Sequence, residues 1–288
     1  MLKTLPNQRN ASKRQTVAFQ GELGAFSHAA AMKLLGPQIQ AKPYPAFRDI
    51  FEALKASTVT HAVVPIENTL HGSILENYDN LLQYGFPIRG ETSVRIAHQL
   101  ITMPGMRFRD VKKAFSHPVA LNQCRRFFEE NPSIEAATFY DTAGSVKMLK
   151  EQRLPGSAAI ASESAAKIYG GVIVKRNIED NRHNYTRFFL LTKQKKVSSA
   201  NQQPWKTSVV FSTANTPGTL FKVMACFALR DLSLTKIESR PLVGHPWEYM
   251  FYVDFLGSEN DPAVKNALTH LAEVTRFHRV LGSYQPTV

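Results

Sequence analysis

Short apolar runs alternate with helix-patterned segments along the first two thirds of this 288-residue chain, and that alternation limits the fold more than any other feature. Gln15 to Gln20 reads as a buried strand around Val17-Ala18-Phe19, followed by the glycine-flanked turn Gly21-Glu22-Leu23-Gly24. Ala25 to Leu35 reads as a helix stopped by Gly36-Pro37. Phe47, Ile50, Phe51 and Leu54 fall at i, i+3, i+4 and i+7, the buried stripe of an amphipathic helix. His61 to Pro65 is a second apolar strand, and helix follows Gly72 through Ile74, Leu75, Tyr78, Leu81 and Leu82. The pattern continues with strand at Ala114-Phe115, helix from Pro118 to Glu130 and strand from Ala137 to Tyr140. Asp141 suits an N-cap, with Val146 and Leu149 turned inward. Ser157 to Ala161 reads as strand and Ser162 to Tyr169 as helix, ending at Gly170-Gly171. Strands separated by helices of about 10–15 residues build an α/β sheet with mostly parallel strands.

The texture changes from Lys193 to Lys206, where lysine, serine, glutamine and asparagine leave little apolar content; residues 195–206 read as a linker. A new unit spans 207–284. Strand from Thr207 to Ser212, helix from Gly218 to Leu229, strands from Leu234 to Ser239 and Tyr249 to Phe255, helix from Pro262 to Ala272 and strand from Val274 to Leu281 give a βαββαβ, ferredoxin-like plan. The length itself favours two domains, one of them over residues 15–194.

Composition removes several function classes. Hydrophobic residues at 43% and charged residues at 20% are those of a globular chain. No apolar run approaches the roughly 18 residues of a membrane span. Residues 1–14 carry Lys3, Arg9, Lys13 and Arg14 without an acid or an apolar segment, so they read as a disordered basic tail rather than a secretory signal. Cys124 and Cys226 have no metal-type spacing and read as reduced, buried thiols; with the tail, this points to a cytoplasmic protein. The nine histidines show no paired ligand spacing, so no metal is expected. The net charge of +12 is scattered, with no reader motif for nucleic acid, but it would attract small dianions.

Three segments carry chemistry. Asn184-Tyr185-Thr186-Arg187-Phe188 sets a hydroxyl beside a guanidinium at the start of an apolar strand, a way to hold a small organic anion. Val64-Pro65-Ile66-Glu67-Asn68-Thr69-Leu70-His71-Gly72-Ser73 puts a carboxylate and an amide at the carboxyl end of a strand, where ligands bind in open α/β sheets. Glu238-Ser239-Arg240-Pro241 lies in the C-terminal unit. Together they resemble the prephenate dehydratase family, which includes the arogenate dehydratases, and the resemblance runs from about Val17 to Leu281.

The resemblance implies a catalytic domain of two α/β lobes, periplasmic-binding-protein-like, followed by an ACT domain, a module that binds amino acids. It implies decarboxylating dehydration of prephenate to phenylpyruvate and inhibition by L-phenylalanine. Thr186 takes the position of the family's essential threonine, as donor to the leaving hydroxyl. Arg187 is the expected carboxylate anchor, or an organiser of the cleft through a partner such as Glu67. Glu67 could supply a proton or brace Arg187; the sequence does not choose. Asn68 and Thr69 and Ser27 in the first glycine turn are expected substrate contacts, with Phe188 on the floor of the site; Thr142 at a helix start is either a contact to the second carboxylate or a bare cap. Ser73 is either an anion contact at a helix start or its plain N-cap. His71 is placed at the cleft rim and His117 as a support of the fold.

For the effector, Asn215, Pro217, Gly218, Thr219 and Leu220 form a loop entering a helix, with proline near the first helical position. Thr219 stands where the family's motif has alanine. Glu238, Ser239 and Arg240 complete the expected effector set, with Glu238 and Arg240 alternatively in interface salt bridges. No nucleotide loop is present, so no NAD or ATP is expected. The resemblance suggests a monofunctional enzyme that is a homodimer or homotetramer, without nucleic-acid or membrane partners. Arogenate as substrate, and a non-enzymatic amino-acid sensor, are the competing readings.

Overall fold

In a computed structural model, residues 15–194, 204–242 and 247–286 are described. The basic tail and most of the predicted linker therefore lie outside the described residues. The first lobe contains β1 (Thr16–Gln20), α1 (Phe26–Leu35), β2 (Gln40–Tyr44), α2 (Phe47–Lys55), β3 (His61–Asn68), the short β4 (Gly72–Ser73), α3 (Leu75–Tyr84) and β5 (Ile88–Arg95). The chain then crosses to a second lobe: β6 (Gln99–Thr102), β7 (Lys113–Ser116), α4 (Pro118–Asn122), α5 (Arg125–Glu130), β8 (Glu135–Thr138), α6 (Thr142–Gln152), β9 (Ser157–Ala161), α7 (Glu163–Tyr169) and β10 (Val172–Lys175). It returns as β11 (Tyr185–Thr192), which inserts between β3 and β5.

The lobes repeat one plan. Strand order is β2-β1-β3-β11-β5 in the first and β8-β7-β9-β6-β10 in the second. In each, three strands pair parallel and the outer two antiparallel, so the sheets are mixed rather than mostly parallel. The cause is the double crossing. A strand arriving from the other lobe joins without the crossover helix that parallel pairing needs, and so runs antiparallel. Two lobes joined by two connections make the periplasmic-binding-protein-like form.

The C-terminal unit is β12 (Lys206–Ser212), α8 (Thr219–Ala228), β13 (Leu234–Pro241), β14 (Tyr249–Leu256), α9 (Pro262–Val274) and β15 (Phe277–Tyr284). Its antiparallel sheet has the order β13-β14-β12-β15, that of a ferredoxin-like fold. Helix α8 starts at Thr219 with Gly218 in the left-handed region at its N-cap, so Pro217 lies before the first turn.

Alternation along β3 and β11 assigns their side chains to two layers. Val63, Phe188 and Leu190 pack under α1 with Val17, Ala30 and Ala31. Ala62, Val64, Ile66, Phe189 and Leu191 face the other way, into a core shared with Ile50, Phe51 and Leu54 of α2 and with Val210, Met250, Tyr252, Leu281 and Tyr284 of the C-terminal sheet. The C-terminal unit thus covers the back of the strands whose front faces the cleft between the lobes.

Two local differences from the sequence reading matter for the site. The helix expected from Pro118 to Glu130 is broken at Gln123-Cys124. Asp180 accepts the Arg125 and Arg126 N–H groups at 2.9 and 3.0 Å and starts α5 as a new helix. Ser73 is not a helix cap: it belongs to β4, and α3 begins at Leu75.

Candidate active site

A cleft of about 480 Å³ opens between the lobes, within the range of small-molecule sites. Its walls include Phe26, Ile74, Ile96 and Val119, with Pro65 and Phe188 beneath. Of the expected substrate contacts, Ser27, Asn68, Thr142, Thr186 and Phe188 line it.

Thr186 pairs directly with Asn68 across β11 and β3, and both point into the cleft. The Asn68 amide nitrogen donates to Thr186 Oγ1 at 3.0 Å and to Asn184 Oδ1 at 2.7 Å. Asn68 Oδ1 accepts the N–H groups of Leu70 at 2.9 Å and His71 at 3.1 Å. Asn68 is therefore fixed by both ends of its amide. By occupying an acceptor site of the Thr186 oxygen, it leaves the hydroxyl proton free to donate outward. Asn184, fully buried, is the missed member of this cluster; it stood within the motif, but nothing in the sequence showed that Asn68 would meet it.

Glu67 and Arg187 are corrected. They pair with each other in the same ladder, one residue from Asn68 and Thr186, so the period of two turns them to the opposite face. Arg187 Nε donates to Glu91 Oε2 at 2.6 Å, and its Nη1 to Asp254 Oδ2 at 2.7 Å. Its Nη2 donates to the Tyr284 hydroxyl at 3.1 Å. The expected Arg187–Glu67 pair is present but loose, at 3.8 Å. Glu67 is held more closely by Lys236, at 3.0 Å. Arg187 is neither in the cleft nor free to anchor a substrate carboxylate. Nor do the scattered positive charges gather for a dianion: among the described residues lining the cleft there is no lysine or arginine.

Thr69 and Ser73 also lie outside the cleft lining. Thr69 Oγ1 donates to the His183 carbonyl at 2.9 Å and accepts the Tyr185 N–H at 3.0 Å, closing the ends of β3 and β11 together. Ser73 Oγ donates to Glu238 Oε2 at 2.6 Å and accepts from Lys236 Nζ at 2.9 Å. The expected effector motif is accordingly split by strand alternation. Glu238 and Arg240 face the first lobe, where Arg240 Nη1 meets Asp79 at 2.7 Å and the Leu75 carbonyl at 2.6 Å. Ser239 points away and is exposed, as are Asn215, Pro217, Gly218 and Leu220; Thr219 Oγ1 donates to the Thr216 carbonyl at 2.8 Å. No hydrogen bond or ion pair joins the 215–220 turn to Glu238–Arg240 among the described residues.

The helix break puts Gln123 on the cleft wall, between two histidines. Its Oε1 lies 2.8 Å from His98 Nε2 and its Nε2 lies 2.8 Å from His71 Nε2. A carbonyl oxygen only accepts, so neutral His98 carries its proton on Nε2; an amide nitrogen only donates, so the His71 proton is on Nδ1. His71 at the rim and Gln123 on the facing lobe thus bridge the cleft. His117 lines it too, and its Nδ1 accepts the Val119 N–H at 3.2 Å to cap α4.

Burial holds His98, His28 and His61 below the ordinary imidazole value of 6.5. The unfolded chain then binds protons more readily than the folded one. Their contribution to stability is complete above about pH 6.5 and is lost as pH falls through the lower folded values. Thermal melts should hold level from pH 8 to 7 and decline below 6.5; a profile flat to pH 5 would contradict this. Asp141 caps α6 and lines the cleft, with its carboxyl pushed up by burial. Among the described residues no cluster could hold a metal ion, both cysteines are free and buried, and no helix is long and apolar enough to cross a membrane.

A two-lobed α/β cleft with a paired threonine and asparagine at its base defines a class of proteins that take a small ligand between two lobes, not one activity. The family is set by comparison. The prephenate dehydratase family model matches residues 17–196, and the chain belongs to that family, a family of hydro-lyases. It is 44% identical over 280 residues to the chloroplastic arogenate dehydratase/prephenate dehydratase 2 of Arabidopsis thaliana, covering 94% of this chain and 73% of that one. Its fold is similar to a prephenate dehydratase from Arthrobacter aurescens solved in complex with L-Phe, with TM-score 0.85, 31% identity and coverage of 94% and 90%. It is also similar to GqqA, a quorum-quenching acylase, with TM-score 0.86, 29% identity and coverage of 95% and 98%. The expectation of a cytoplasmic protein is overturned, since relatives across nearly this whole chain are chloroplastic. A basic, acid-free N-terminal segment and unpaired cysteines do not separate these compartments.

Proposed function

We propose that residues 15–194 form a decarboxylating dehydratase that converts prephenate to phenylpyruvate, and that residues 207–284 form an ACT domain through which L-phenylalanine inhibits it. The observation that carries the catalytic reading is the Asn68–Thr186 pair in the cleft, in which Thr186 Oγ1 accepts from Asn68 and so keeps its own proton available to a ligand. The reaction breaks the bond between the ring and its carboxylate; that electron pair enters the ring and expels the ring hydroxyl. The hydroxyl takes one proton and leaves as water, while the carboxylate leaves as carbon dioxide. Thr186 hydrogen-bonds the departing oxygen, and the apolar wall of Phe26, Ile96 and Phe188 disfavours the charge of the ring carboxylate, which decarboxylation removes. Prephenate dehydratase from Arthrobacter aurescens was solved with L-Phe, which supports the effector. The ACT unit is further proposed to pair copies of the chain as a dimer or tetramer.

Arogenate is the second reading, favoured by the double name of the Arabidopsis relative. Likeness to an acylase in fold alone does not set the activity. Purified protein should form phenylpyruvate from prephenate, and phenylalanine should suppress this turnover. Turnover of neither prephenate nor arogenate would remove the catalytic reading; turnover indifferent to phenylalanine would remove the regulatory one.

A further inference from the structure

Asp141 is a buried carboxylate, 8% exposed, on the wall of a cleft that has no lysine or arginine among its described lining residues. Its Oδ1 accepts the Gly144 N–H at 2.7 Å, and the Glu22 backbone supplies a second hydrogen bond. It forms no ion pair among the described residues. The charges near it do not offset it. Glu22 adds negative charge and is itself paired with Lys147 at 3.2 Å, and the nearby His117 makes no ion pair with Asp141 among the described residues. A buried carboxylate without a cation is costly, and hydrogen bonds from neutral donors relieve only part of that cost. A ligand that brings a cation to this position removes the rest.

The two candidate substrates differ in this respect. Prephenate carries two carboxylates and a keto group. Arogenate carries the same carboxylates and, in place of the keto group, an ammonium. A cleft holding an unpaired carboxylate repels the dianion more than the singly negative zwitterion.

On the reading that this cleft is the dehydratase site and turns over prephenate, we infer that Asp141 is a specificity-determining residue that accepts the ammonium of arogenate and makes arogenate the better of the two substrates. The neighbouring Thr142, first residue of α6, supplies a hydroxyl beside a helix N-terminus for the carboxylate on the same carbon. An ammonium and a carboxylate one carbon apart then meet an aspartate and a helix start one residue apart.

The test compares kcat and KM for both substrates in the full-length protein and in Asp141→Asn, which keeps an oxygen to accept the Gly144 N–H. The unaltered enzyme should favour arogenate. The substitution should lower kcat/KM for arogenate about tenfold to a hundredfold, mainly through KM, the loss of one charge-assisted hydrogen bond. Prephenate turnover should stay level or improve. Asp141→Ser, which preserves an N-cap, should give the same split if the asparagine variant folds poorly. A parallel fall for both substrates would overturn the assignment and move Asp141 to a step they share, as would an unaltered enzyme that prefers prephenate. If neither substrate is turned over, the dehydratase reading falls and this inference falls with it.

Discussion

Thr186→Val should lower kcat for dehydration by about 10²–10³-fold, the usual cost of removing one preorganised donor from a developing negative charge. KM should change little, because the contact strengthens as the hydroxyl departs rather than on binding. The substitution is a clean one. Valine keeps the shape and strand preference of threonine. The Asn68 amide nitrogen, deprived of Thr186 Oγ1, still donates to Asn184 Oδ1 at 2.7 Å and to the Tyr185 carbonyl at 3.2 Å. No buried donor is stranded, so the melting temperature should stay within a few degrees. Steady-state rates and a thermal melt on the same preparation decide the matter. Retained turnover with an intact fold would remove Thr186 from the chemistry. Asn68→Ala should fare worse on both counts, because Asn68 also holds the backbone of Leu70 and His71 in place.

How far the sequence revealed this site depended on the kind of signal. Local signals served well: glycine and proline stops, the i, i+3, i+4, i+7 stripe of α2 and the Asp141 cap all describe short-range physics, and those elements stand where they were read. Thr186, Asn68, Ser27, Thr142 and Phe188 reach the cleft because they sit at strand ends and helix starts that converge there. Arg187 is turned away by a rule legible in the sequence, since neighbours in a strand point to opposite faces; Glu67 follows it only because the register shift between Arg187 and Phe188 leaves Ile66 as an extra residue in β3, which no sequence pattern shows. Motif proximity suggested one site where alternation demands two layers. The partners of Arg187, by contrast, were out of reach. Asp254 and Tyr284 lie 67 and 97 residues away, on another sheet. Gln123 was hidden for a similar reason: the helix break that exposes it depends on Asp180, which no local pattern links to Arg125.

Arg187→Ala should destabilise the protein by about 3–5 kcal/mol, the range for removing one partner of a buried ion pair, with a fall in melting temperature on the order of 10 °C. The guanidinium side chain is only 15% exposed, while Glu91 and Asp254 are 3% and 7% exposed. Glu91 would keep Lys206 at 2.6 Å, and Asp254 would keep the Ser208 hydroxyl at 2.5 Å. Asp254 would then have no ion-pair partner among the described residues. Lysine should rescue only part of the loss, because a point charge cannot reach Glu91, Asp254 and the Tyr284 hydroxyl together. In a double-mutant cycle, Arg187→Ala and Asp254→Ala should be strongly non-additive; simple additivity would show that the contact contributes nothing. The same network has a functional reading. Arg187 ties the C-terminal sheet to β11 one residue from Thr186, at a register shift between Arg187 and Phe188 where the ladder is already irregular. Lys236 and Glu238 do the same for β3 through Glu67 and Ser73. On the proposed inhibition by phenylalanine, a ligand that moves the C-terminal sheet against the first lobe pulls on the two strands that align Asn68 with Thr186, and a variant severed at Arg187 should respond less to it than the unaltered enzyme.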